Sequence, residues 1–251
     1  QGTLEFIQQN FDYMRAQAER QAGHSDYWFA VKQLVAQFEG LQEGYHAACP
    51  HGKLNEMDFL LLNAFGDLYD ITVATSDDPE ATAKRLNTPG RSSNFHVLRC
   101  SSLIKLLPDL SDVVFGHTTW DLFVSAAPRI FKRYTYPLIH NGRADRNYDV
   151  YFSSSPGLLS SVDDFYVTRG YGKLAVIETT NEVVNYALYR YLTPRSLLSW
   201  ARVMLANQLA ADAFGWADVF SKEASGTYTD QWQVLDLEKH QPGSLPKPGF
   251  F

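Results

Sequence analysis

The chain has 251 residues, 45% of them hydrophobic and 20% charged, with a formal net charge of −6. That composition supports one large domain with a sizeable core, and an acidic balance without a basic stripe argues against nucleic acid as a partner. No run approaches the roughly 18 apolar residues of a membrane-spanning helix, and two cysteines are too few for a disulfide scaffold.

Leu4, Ile7, Phe11, Met14 and Ala18 recur at helical spacing, which predicts an amphipathic helix ending near Gly23. Gln1 opens straight into it with no signal-peptide pattern and no starting Met, so the chain reads as processed or as a fragment. Ser25 or Asp26 can cap a second helix with Trp28, Val31, Val35 and Phe38 inward, giving way at Gly40 to a looser segment through Pro50. Asn55 can cap a third helix reaching Tyr69, with Met57, Leu60, Leu61, Ala64 and Leu68 inward. All three faces read as core. From Thr75 to Asn94, Ser, Asp, Pro, Thr and Gly predominate. This reads as a loop of roughly twenty residues, longer than compact domains usually carry, and therefore a candidate for function or cleavage.

Arg99 to Trp120 reads as a β-hairpin. Two apolar runs, Leu103 to Leu107 and Val113 to Phe115, flank the turn cluster Pro108-Asp109-Leu110-Ser111-Asp112. A turn centred near Asp109 or Leu110 sets Cys100 opposite a residue between His117 and Trp120, so that thiol, imidazole and hydroxyls meet at the open end. Phe123, Ala127, Ile130 and Phe131 then suggest a helix, and strands follow at Asp149–Ser154, Phe165–Thr168 and Leu174–Glu178. The last of these ends in the polar cluster Glu178-Thr179-Thr180-Asn181, a common place for site residues. Leu197–Ala213 reads as a helix opened by Thr193-Pro194, Trp216–Phe220 as another, and Gly226 to Leu235 as a final strand before an irregular tail.

A cysteine before an apolar strand is most often a small hydrophobe, and a Cys49–Cys100 bridge is possible but not indicated. The functional alternative is a nucleophile activated by a neighbouring base. His117 is one candidate base. A cut between Arg99 and Cys100 would supply another, because an α-amine with a pKa of roughly 7.7–8.0 would then lie beside the thiol. Cys and His show no metal-ligand spacing, no Asn-x-Ser/Thr sequon is present, and no cofactor is expected. Asp163-Asp164 reads as a turn cap, and Trp120, Trp200 and Trp216 as core.

Several ordered motifs cover most of the chain: Cys100 to Pro108, His117 to Trp120, Phe152 to Gly157, Asp163 to Tyr166, Glu178 to Thr180, Leu198 to Trp200, Trp216 to Lys222, Ser225 to Tyr228 and Gln231-Trp232. Together they closely resemble the phospholipase B-like (lamina ancestor) family. The resemblance implies an α+β fold, a four-layer αββα sandwich of the N-terminal-nucleophile hydrolase type. It implies one domain over 1–251, with 1–99 mainly helical plus a cleavable loop and 100–251 bearing the nucleophile. It also implies hydrolysis of acyl ester or amide bonds in a phospholipid or linear amide, in a lysosomal or secreted protein. Carried over, Cys100 is the nucleophile, His117 and Thr180 complete the catalytic group, and Thr118, Thr119 and Trp120 bind substrate. The family usually reads Asn-Asn where this chain has Thr229-Asp230, and its chain continues beyond Phe251 with an oxyanion Asn and a site Arg. The expectation is therefore a fold completed by a companion chain or C-terminal segment. The alternatives are a catalytically inactive binding or scaffold subunit, and a cysteine hydrolase that does not process itself.

Overall fold

A computed structural model describes residues 2–87, 99–121, 127–140 and 143–251 of the chain. Helix α1 (Gly2–Gln21) buries Phe6, Ile7, Phe11, Met14 and Ala18, the stripe that its spacing predicts. Helix α2 (Asp26–Ala48) is capped by the Ser25 side chain, which accepts from the Trp28 N–H. It does not loosen at Gly40. It runs through Gly40 and Gly44 because Leu41 and Tyr45 pack against the core, and the Tyr45 ring meets Phe59 edge-on at 5.4 Å. That burial offsets the roughly 1 kcal/mol that each helical glycine costs.

The third predicted helix is two. Asn55 opens α3 (Glu56–Asn63) with a reciprocal capping box to Asp58, and α4 (Leu68–Ala74) starts after a break at Phe65–Asp67. In that break a Cβ on Gly66 would stand 3.1 Å from the Tyr228 ring, tighter than side chains ordinarily pack, so any larger residue there would have to displace the ring by a few tenths of an ångström. The predicted loop at 75–94 contains helix α5 (Pro79–Leu86). Asp78 caps it by accepting from the Ala81 N–H, and proline stands in its first turn. The rest of that stretch, from 88 onward, lies outside the described residues.

Strands β1 (Arg99–Leu106) and β2 (Val113–Trp120) form the predicted antiparallel hairpin. Leu110 takes a positive φ of 59° at the turn. Over 127–131 the structure overturns the helix expected around Phe123 to Phe131. Residues 122–126 lie outside the description, and Ile130 begins β3 (Ile130–His140), which pairs with β4 (Arg143–Ser154). Period-two spacing wins here, because the rings of Tyr134 and Tyr136 turn inward onto Phe152 and Tyr148. Pro137 is tolerated because β3 is an edge strand.

Strands β5 (Phe165–Thr168), β6 (Leu174–Thr179) and β7 (Gln231–Asp236) complete a five-stranded antiparallel sheet, ordered β3-β4-β5-β6-β7. The final strand starts at Gln231 rather than Gly226 because Gly226, Tyr228 and Asp230 all have positive φ, which a strand cannot accommodate. A 3₁₀ turn (Tyr186–Tyr191) goes unsignalled in the sequence. Helix α6 is shorter than predicted (Ser199–Leu209), and α7 covers Ala213–Phe220.

Tyr148, Val150, Phe152, Tyr166, Leu174 and Val176 alternate onto one sheet face and join residues of α1, α2, α3 and α6 in a single apolar cluster. Phe165, Ile177 and Gln233 alternate to the other face. The hairpin lies there, with Phe115 stacked on Phe165 at 5.7 Å and the Gln233 Nε2 donating to Ser102 Oγ at 2.7 Å. Helices, sheet and hairpin thus form successive layers of an α+β fold, with both cysteines as free thiols. No helix among the described residues is long and apolar enough to cross a membrane.

Candidate functional site

The hairpin register sets Cys100 opposite Thr119 and Ser102 opposite His117. Cross-strand partners share a face, so Cys100, Ser102, His117 and Thr119 all turn toward the sheet. The alternating exposure of the two strands agrees. Thr118 and Trp120 therefore turn outward, where the Trp120 Nε1 donates to the Thr118 hydroxyl at 3.3 Å and the indole is 61% exposed. Of the predicted substrate-binding trio, only Thr119 faces the thiol side. It donates to Asp163 Oδ1 at 2.8 Å, and the same carboxylate pairs with Arg129 at 3.0 Å.

Strand β6 delivers the third component. Cys100 Sγ, a His117 ring nitrogen and a Glu178 carboxylate oxygen all lie within 4.8 Å of one another. His117 Nε2 and Glu178 Oε1 are 3.5 Å apart, and their side chains are 2% and 0% exposed. Thr180 hydrogen-bonds the thiol, and the Thr179 hydroxyl donates to the Cys100 carbonyl at 3.0 Å. The three predicted catalytic residues, Cys100, His117 and Thr180, are thus gathered at one end of the hairpin. Glu178 was not among the predicted site residues, although the polar end of its strand was the available signal.

Around this point the protein concentrates buried carboxyl groups. Asp164 is 2% exposed, has a φ of +46° and accepts from the Tyr228 hydroxyl at 2.7 Å. Asp70 accepts from the Tyr228 N–H at 2.7 Å, and Asp230 accepts from the Asn181 N–H at 3.1 Å. Burial is the first cause of shift in each. It lifts the Asp230 carboxyl to about 8, with Glu178 next in weight, and drives Asp164 well above the carboxylate range. Burial also pushes the Cys100 thiol far up, reinforced by the Glu178 and Asp164 carboxylates and only partly opposed by the Thr180 hydrogen bond. In the intact chain the sulfur is therefore held as a thiol.

The charge of Glu178 is thus part of what suppresses the thiolate. Glu178→Gln is expected to speed alkylation of Cys100 by iodoacetamide by about tenfold near neutral pH, the effect of one pKa unit. Quantifying alkylated peptides by mass spectrometry separates this site from the exposed Cys49. An unchanged rate would mean that desolvation alone sets the shift.

Beside the cluster, Thr180 and Asp230 border a cavity of about 190 Å³ whose other walls include Phe65, Tyr69, Val183 and Tyr186. Aromatic and aliphatic walls share the lining with the carboxyls of Asp70, Glu182 and Asp230, which suits a ligand with both an apolar and a polar part. A thiol, a base within reach and hydroxyls that can orient a carbonyl are the parts that acyl transfer needs.

The phospholipase B family profile matches residues 1–251. The chain is 36% identical to phospholipase B-like protein G of Dictyostelium discoideum, over 99% of this chain and 43% of that protein. It is 35% identical to protein A of the same series over 95% of this chain and 43% of the relative, and 34% identical to protein C over 98% and 43%. The chain spans about two fifths of the length of these curated relatives.

Proposed function

The chain belongs to the phospholipase B family, and on that footing we propose that it is the nucleophile-bearing part of a hydrolase cleaving acyl ester or amide bonds in lipid-like substrates. Cys100 is the nucleophile, exposed by cleavage of the Arg99–Cys100 bond within an N-terminal-nucleophile αββα fold. The observation that carries this reading is the convergence of Cys100, His117 and Thr180, the last of which also lines a cavity with aromatic and aliphatic walls.

In the proposed cycle the freed α-amine takes the thiol proton, and the thiolate attacks the substrate carbonyl. The tetrahedral intermediate collapses to a thioester, and the departing alcohol or amine receives that proton. Water, deprotonated by the same amine, then attacks the thioester and releases the acid. The α-ammonium formed on the way would stand among Glu178 and Asp164, the two carboxylates that otherwise oppose a thiolate. Cleavage would in this way turn an inert thiol into a reactive one. His117 and Thr180 orient the amine and the acyl group.

A companion chain or further segment completing the fold belongs to the same proposal, since the buried Asp230 Oδ2 lacks a hydrogen-bond partner among the described residues. So does a lysosomal or secreted location, which the family resemblance suggests and which carboxyls that titrate high would suit. The second reading is an inactive binding or scaffold subunit, favoured by the protonated thiol of the intact chain.

Mass spectrometry of protein from its native source separates the two. A polypeptide beginning at Cys100, together with turnover, is the expected result. An unbroken Arg99–Cys100 bond without turnover supports the scaffold, and an unbroken bond with turnover assigns the attack to an unprocessed Cys100–His117 pair.

A further inference from the structure

Among the described residues, the point where β1, β2 and β6 meet holds donors of three kinds, a half-buried thiol and two side chains almost wholly shielded from solvent. The His117 and Glu178 side chains are 2% and 0% exposed, yet His117 Nε2 makes no hydrogen bond and the Glu178 carboxylate is met by the Cys100 thiol and, at 3.5 Å, by the His117 ring. Buried polar atoms left in that state are costly, and their convergence on a sulfur calls for a ligand that all three can satisfy together. We propose that Cys100 Sγ, His117 Nε2 and Glu178 form a zinc-binding site.

The spacing fits. Zinc bonds of 2.0–2.3 Å at tetrahedral angles set donor atoms about 3.5 Å apart. The Nε2···Oε1 separation is already 3.5 Å, and all three donors lie within 4.8 Å of one another, so about 1 Å of side-chain movement closes the set. The chemistry fits as well. A thiolate with an imidazole and one carboxylate is a donor set for zinc, whereas calcium and magnesium take oxygen ligands almost throughout. Because the ligands come from three separate strands, no short-range spacing in the sequence announces them.

Binding breaks the Cys100 S–H bond and forms an S–Zn bond, with the proton passing to solvent. His117 contributes a neutral lone pair and Glu178 its carboxylate, and nothing is oxidised or reduced. A sulfur lone pair engaged by the ion cannot attack a carbonyl, so the metal holds the site shut until it is withdrawn. That consequence rests on the hydrolase reading. The binding itself does not.

The test uses cobalt(II) as a spectroscopic stand-in, titrated into the intact chain carrying Cys49→Ser to remove the exposed thiol. The expected result is saturation at one equivalent with a sulfur-to-cobalt charge-transfer band and tetrahedral visible bands, all displaced by zinc. Cys100→Ser should abolish the charge-transfer band. His117→Ala and Glu178→Gln should each weaken zinc binding at least about tenfold in competition with a chromophoric chelator. Circular dichroism on each variant confirms that it is folded. No saturable band, a band that survives Cys100→Ser, or zinc affinity indifferent to both His117→Ala and Glu178→Gln in folded protein would overturn the site. The readout is optical and needs no turnover, so loss of the zinc site and loss of the hydrolase reading are separate results.

Discussion

Cys100→Ala is expected to lower hydrolysis of acyl ester or amide substrates by about 10³-fold or more, the scale on which loss of a covalent nucleophile acts. It should also leave the Arg99–Cys100 bond intact. No second thiol stands near to substitute, because Cys49 lies exposed at the end of α2. Cys100→Ser keeps the shape of the side chain and should likewise abolish turnover, since a hydroxyl is the weaker nucleophile and meets the same field of Glu178 and Asp164. The measurements are initial rates in the whole protein and intact mass on the same samples. Turnover within about tenfold of the parent in Cys100→Ala would move the chemistry elsewhere and leave Cys100 as packing, which is what a half-buried cysteine usually is.

The hairpin was legible in the sequence because its information is local. A Pro/Asp/Ser turn between two apolar runs specifies the pairing, and the observed Cys100 to Thr119 partnership falls inside the predicted interval. Helix α1 was legible for a similar reason, since a single uninterrupted stripe has one reading. The misses have tertiary causes. Gly40 and Gly44 look like a helix end until Leu41 and Tyr45 find the core, and Ile130-Phe131 looks helical until Tyr134 and Tyr136 pair with Phe152 and Tyr148. Asp78-Pro79 was a helix start hidden in a segment whose composition reads as loop.

The site divides along the same line. Cys100 and His117 sit on one hairpin, so local pairing brings them together. Thr180 was placed by resemblance. Glu178 joins only through β6, and nothing in the residues around the thiol announces it. Thr118 and Trp120 show the limit of a motif read as a block, because alternate residues of one strand face opposite ways.

The buried carboxyls make a second large effect, on stability against pH. Asp230 titrates at about 8 and Asp67 at about 6, and Asp164 and Asp70 are also raised, all chiefly by burial. An unfolded Asp titrates at about 3.9, so the folded chain holds these protons more tightly than the unfolded one. The resulting stability is fully present below about pH 4 and is lost as pH rises through about 8, where Asp230 ionises. Groups of opposite sign act outside that window. The lowered Asp149 and Asp109 titrate below it, and Lys132, lowered to about 8 by burial, exerts a constant penalty beneath that value. At 1.36 kcal/mol per unit, Asp230 alone should cost about 4 kcal/mol between pH 5 and pH 8. Urea unfolding at those two values should therefore show the higher midpoint at pH 5. Asp230→Asn, which keeps an acceptor for the Asn181 N–H, should flatten the difference by about the same 4 kcal/mol. A midpoint that rises toward pH 8, or a slope unchanged in Asp230→Asn, would mean that these carboxyls find a cation or solvent in the folded state. The electrostatic case for a thiol silenced by its surroundings would then fail with them.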